Sequence, residues 1–134
     1  MPAISHLLDT SICIDVLRNH SSPVLLPKAS NIAVSSIVAA ELWVGISKMG
    51  NHRDKTRRLE EFFFIFPIIE FNAKAAQHYG EIRSDLERKG TPIGPMDLLI
   101  AAHTRSIDAT LITSNLNEFR RVKGLNCISL QKLT

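Results

Sequence analysis

Residues 92–105 read PIGPMDLLIAAHTR. Pro92, Gly94 and Pro95 break any helix before them and set up a new one from Pro95 onward. Asp97 falls in the first turn of that helix, where a negative side chain suits the helix dipole. The residues that follow, Leu98, Leu99, Ile100, Ala101 and Ala102, are apolar on every face, as in a helix buried against a sheet. Asp97 therefore stands at the edge of a core. The ordinary reading is an acid that favours a helix start. Two more acids in apolar surroundings weigh against it.

The first is Asp9. Ile4–Leu8 is an apolar run that closes on Asp9, Thr10 and Ser11, which predicts a buried parallel strand with the acid at its carboxyl end. Thr10 or Ser11 is then free to cap a helix reaching about Asn19. The second is Glu41. A strand at Ile32–Ser35 leads, with Ser35 or Ser36 as cap, into a helix from Ile37 to about Lys48. Ile37, Glu41, Val44, Gly45 and Lys48 share one face of it by spacing. Ionised carboxylates are rarely buried without a partner. That partner is a lysine or arginine, or else a metal shared among the three acids.

The remaining chain alternates in the same way. Asn19–Asn31 reads as a connection with a turn of helix at most, and Gly50–Asn51 ends the second helix. A third helix spans Arg53 to Phe64, followed by a strand at Ile68–Phe71. A long helix covers Ala73–Lys89 with Ala76, Tyr79, Ile82 and Leu86 on one face. Thr110–Thr113 is a strand, Leu116–Arg121 a short polar helix, and Cys127–Leu130 the last strand. Such alternation predicts one α/β domain over 1–134, a parallel sheet with helices on both faces. Ligands of open α/β sheets bind beyond the carboxyl ends of the strands, where Asp9 would lie. Phe62, Phe63, Phe64 and Phe66 hold four of the six phenylalanines; they are core, with a part left to cover a dimer or partner surface.

Composition bounds the function. With 134 residues, 45% of them hydrophobic, the chain has enough apolar material for one core. No helix-length apolar run is free of charge, so a membrane span is not expected. MPAISHLLD shows neither a basic leader nor a cleavage site, so a cytoplasmic location is expected. Cys13 and Cys127 lack metal-ligand spacing and read as reduced, packed thiols. The net charge is only +3, but the basic residues cluster: Lys48, Arg53, Lys55, Arg57 and Arg58 in one run, Arg120, Arg121 and Lys123 in another. Each is a solvated face or a phosphate-binding surface. Basic patches around three embedded acids suit an enzyme that meets a polyanion through a metal. Clustered carboxylates repel and raise one another's pKa, and magnesium or manganese relieves that.

The stretches LLDTSICIDVLR (7–18), SSIVAAELWVGI (35–46), YGEIRSDLERKGTPIGPMDLLIAAHTRSIDATLITSN (79–115) and NEFRRVKGL (117–125) together resemble the PIN-domain ribonucleases, and within them the VapC toxins of bacterial toxin–antitoxin modules. The resemblance spans nearly the whole chain and is strongest from Tyr79 to Leu125. It implies a three-layer α/β/α sandwich around a mainly parallel sheet. It implies a magnesium-dependent endoribonuclease, with manganese as substitute, acting on structured or translation-linked RNA. It places the acidic metal site on Asp9, Glu41 and Asp97, with Thr113 as supporting hydroxyl and Ser11 and Asn115 beside the ion. Many PIN domains carry a fourth acid where this chain has Asn115, whose carbonyl can accept but brings no charge. A small VapB-like antitoxin, a homodimer and a toxin–antitoxin hetero-oligomer are further implications.

Rival readings fit less well. A receiver domain needs adjacent acids after its first strand, and a HAD-type phosphatase needs a second acid where Ser11 stands. A catalytically weak PIN-like module that only binds RNA is the alternative to a nuclease; the three acids speak against it. No pair among His6, His20, His52, His78 and His103 is spaced as a general acid and base. Water activated by metal is thus the expected nucleophile, leaving 5′-phosphate and 3′-hydroxyl ends.

Overall fold

Among the described residues, five short strands, β1 (His6–Leu8), β2 (Ile32–Ser35), β3 (Ile68–Ile69), β4 (Thr110–Ile112) and β5 (Asn126–Ile128), lie side by side in the order β3-β2-β1-β4-β5. Every pair is parallel; His6 of β1, for example, pairs with Ile32 of β2 and Thr110 of β4. The computed structural model describes residues 3–18, 31–50 and 52–133. Most of the connection expected at Asn19–Asn31, with His20, lies outside the described residues, as does Asn51.

Neighbouring strand residues point to opposite faces, and both Leu7 and Leu8 are buried, as are Ala33 and Val34, Leu111 and Ile112. The sheet is therefore covered on both sides, as parallel sheets are. Among the described residues, six helices supply the cover: α1 (Thr10–Arg18), α2 (Ser36–Lys48), α3 (Arg53–Ile65), α4 (Ala73–Arg88), α5 (Pro95–Ser106) and α6 (Leu116–Phe119). A 3-10 turn at Leu130–Leu133 closes the described chain. The architecture is the expected three-layer α/β/α sandwich.

Strand order decides where a site can form. From β1 the chain steps outward through β2 to β3 on one side, and from β4 to β5 on the other. The order reverses between β1 and β4, and a crevice opens beyond their carboxyl ends. Asp9 follows β1 directly and Thr113 follows β4.

Two helix faces differ from the sequence expectation. On α2 the buried stripe is Val38, Ala39, Leu42 and Ile46, while Val44 is half exposed. The stripe with Glu41 and Gly45 is thus the flank of the helix, which suits an ionisable residue better than the core would. On α4 the buried residues are Ala75, Ile82 and Leu86; Ala76 is exposed. Adjacent alanines give periodicity too little contrast to fix a face to one residue. The phenylalanine cluster divides as expected of a part-core group: Phe62 and Phe66 are buried, while Phe64 is 91% exposed. Between α4 and α5, Gly90 takes φ +69°, a left-handed turn that favours glycine, and exposed residues 87–92 carry the chain over.

Candidate active site at the carboxyl edge of the sheet

Asp9 ends β1 and precedes α1, whose first amides, those of Ile12 and Cys13, bond to the Asp9 carbonyl oxygen at 3.1 and 3.2 Å. Its carboxylate is left to other donors, one of them the Thr10 amide at the start of the same helix. It is buried, 5% exposed, and three donors converge on it. Thr113 Oγ1 donates to Oδ2 at 2.6 Å, Ser11 Oγ to the same oxygen at 3.3 Å, and the Thr10 amide to Oδ1 at 2.8 Å. Thr113 is fully buried and is itself held, accepting the Asn115 amide at 3.0 Å. Neither Thr10 nor Ser11 caps α1 with its hydroxyl, as the sequence had suggested; both turn to carboxylates. The carboxylates hold them because backbone amides already have a partner in Asp9.

Glu41 comes to Asp9 through Thr10, whose hydroxyl donates to Glu41 Oε1 at 2.6 Å. The helix under Glu41 is anchored by Ser35, which caps it by accepting the Ile37 amide at 3.1 Å. Ser35 Oγ also lies 2.7 Å from His103 Nδ1, a buried ring on α5. Burial holds the His103 pKa below its ordinary value. Ser35 precedes Glu41 by six residues and His103 follows Asp97 by six, so this bond ties together the two helices that bear the acids.

Asp97 enters from the first turn of α5, with Pro95 at the helix start. Its pKa is pushed up to about 7. Burial is the largest cause, then the negative charge of Glu118, then that of Asp9, a hydrogen bond with Glu118, and the charge of Glu41. The three acids singled out in the sequence thus share one electrostatic field, and Glu118 is a fourth. Glu118 Oε1 accepts the Gly94 amide at 2.8 Å, Oε2 takes the Asn115 side-chain amide, and its pKa is lowered, chiefly by the Gly94 bond. Asn115 uses its amide to hold Glu118, so a further acid, three residues beyond Asn115, stands beside Asp97. Sequence reading missed it because an acid followed by Arg120 and Arg121 looks like surface charge. Ser11 lies at the exposed rim, where Ser114 Oγ donates to its hydroxyl at 2.9 Å.

The donors gathered here are all oxygens, the set that hard divalent cations prefer. Burial and the neighbouring negative charges both raise the Asp97 pKa, and a cation would relieve the second of these. Among the described residues, no three acidic, histidine or cysteine side chains converge closely enough to ligate one ion directly. An ion held by these oxygens would have to keep much of its water, as magnesium can and structural zinc does not.

Glu41 also lines a groove of about 510 Å³ between α1, α2 and α3. Its floor includes Leu17, Leu42 and Met49, and its rim Lys55 and Arg58. Arg58 is fixed there by a 2.6 Å bond to the Leu17 carbonyl. The phenylalanine cluster does not line this groove: Phe62 and Phe66 are spent on the core, and Phe64 lies exposed outside it.

The PIN domain family matches residues 6–125. The ribonuclease VapC2 of Rickettsia felis is 42% identical over 125 residues, covering 90% of this chain and 93% of its own. The tRNA(fMet)-specific endonuclease VapC of Shigella flexneri is 34% identical, covering 91% and 95%. Among solved structures, a chain of VapBC2 from Rickettsia felis bound to a DNA fragment from their promoter superposes with TM-score 0.85 at 40% identity, covering 92% of this chain and 97% of that one.

Proposed function

The chain belongs to the PIN-domain family as a VapC-type ribonuclease, and from that premise we propose that it is the toxin of a toxin–antitoxin module, a magnesium-dependent endoribonuclease acting at Asp9, Glu41, Asp97 and Glu118. The observation that carries the reading is the gathering of these acids at the switch point of the sheet, with Thr10 bridging Asp9 and Glu41, Thr113 holding Asp9, and Asp97 raised to about 7 by burial first and by its acidic neighbours next. Bound magnesium, or manganese in its place, supplies positive charge against the phosphate and a water of lowered pKa. The chain's own part is placement. Thr113 and the Thr10 amide fix Asp9; Gly94 and Asn115 fix Glu118 beside Asp97. No described histidine is placed for acid–base work: His103 is bonded to Ser35, His78 accepts from Arg105, His6 lies in β1, and His52 is exposed at the start of α3. The 2′-hydroxyl is therefore not required as nucleophile. The relative from Shigella flexneri is named for tRNA(fMet), so a transfer RNA is the first substrate to offer.

The apolar groove that opens onto Glu41 is the place for an antitoxin segment, with acidic residues for Lys55 and Arg58 and a basic one reaching Glu41. A homodimer within a larger toxin–antitoxin assembly, in the cytoplasm, completes the proposal; no described helix is long and apolar enough to cross a membrane.

The deciding experiment compares wild type with Asp97→Asn on a transfer RNA substrate, with magnesium and with EDTA. Wild type should leave 5′-phosphate and 3′-hydroxyl ends only with magnesium. Asp97→Asn should be folded and at least a hundredfold slower, on the order of losing a metal-site carboxylate. Cyclic 2′,3′-phosphate ends formed in EDTA, or full activity of Asp97→Asn, would overturn the proposal.

A further inference from the structure

Thr10 opens α1, where a hydroxyl ordinarily turns back to an amide of its own first turn. Here the amides of Ile12 and Cys13 are already met by the Asp9 carbonyl. The hydroxyl instead crosses 31 positions of sequence to α2 and donates to Glu41 Oε1 at 2.6 Å. A carboxylate only accepts, so the direction of that bond is fixed. The same residue gives its backbone amide to Asp9 Oδ1 at 2.8 Å. One residue at the rigid end of β1 thus supplies a donor to each of two acids on different elements.

Glu41 needs such a partner more than Asp9 does. Asp9 is buried and held by three donors, whereas Glu41 is half-buried at the mouth of the groove, on a side chain with three free torsions. Among the described residues, the bond from Thr10 is the hydrogen bond that fixes its carboxylate. We propose that Thr10 is a positioning residue: its hydroxyl holds the Glu41 carboxylate beside Asp9, so that a divalent ion meets a preset pair of acids. The inference rests on the metal-dependent reading above. Its energetic signature is distinctive. A part-buried hydroxyl–carboxylate bond adds modestly to folding, but partners that orient a ligand commonly change metal affinity by ten- to a hundredfold.

The experiment titrates manganese(II) into RNA-free wild type, Thr10→Val and Thr10→Ser, following the free ion by electron paramagnetic resonance and the fold by circular dichroism. Valine keeps the shape and removes the donor; serine keeps the donor. Thr10→Val should bind manganese roughly tenfold more weakly while its metal-free melting temperature falls by only about a few degrees, and Thr10→Ser should stay within about twofold of wild type. In RNA cleavage, the Thr10→Val defect should shrink as magnesium is raised, which a distorted active site would not show. Equal affinity in wild type and Thr10→Val overturns the role of Thr10, as does an equal loss in Thr10→Ser. If valine prevents folding, Thr10→Ala replaces it with the same expectations. A wild type that takes up no manganese overturns the metal reading itself, a result that cannot be confused with either.

Discussion

At the residue level the acids Asp97 and Glu118 behave as opposites in one contact. Burial and three neighbouring charges raise Asp97 from 3.8 to about 7, while N–H donors from Gly94 and Asn115 hold Glu118 below its usual 4.5. Between about pH 4 and 7 the folded, metal-free protein keeps a proton on Asp97 that the unfolded chain has lost. Stability from this group is therefore greatest at low pH and falls as pH rises through that window. Glu118 acts in the other direction, but below about pH 4.5, so the two windows separate. The melting temperature of metal-free protein should decline from pH 5 to 8. Magnesium should reverse the decline, because its ligands must shed their protons. Glu118→Gln should flatten the slope by removing the largest charge acting on Asp97. A melting temperature that rises over the same range without metal would show that Asp97 does not hold its proton.

Among the elements, α2 is the one with two duties: its cap Ser35 locks it to α5, and its flank presents Glu41 and the groove. Met49, just past the end of α2, is half exposed on the groove floor and outside the acid cluster. Met49→Glu should weaken antitoxin binding by roughly tenfold, the effect of placing a charge in an apolar contact, and leave RNA cleavage unchanged; the two are checked by calorimetry and by product gels. Elements were also what the sequence disclosed most fully. Apolar runs closing on Asp9 and Thr113, and proline and glycine ahead of Asp97, mark where each acid stands along the chain, because period and punctuation are local properties. Glu118 and the Thr10–Glu41 bond were not legible, since each depends on residues brought together from 24 to 31 positions apart. The same holds for the groove: whether a phenylalanine lines it depends on which faces α1 and α3 spend on the core.

In the whole molecule, the acids divide evenly along the chain. Asp9 and Glu41 precede the turn at Gly90, and Asp97 and Glu118 follow it. That turn is exposed, with Arg88 and Lys89 at its approach, while α4 and α5 on either side are packed against each other and against the core. A protease specific for basic residues should cut there first and leave two fragments that stay associated, readable by gel filtration followed by denaturing electrophoresis. Separately expressed, each fragment would carry two carboxylates and neither a complete site. A ribonuclease whose acids are encoded in two portions, joined by a short surface bend, lends itself to division: the halves can be made in separate compartments, and a cut reporter RNA then shows that they have met.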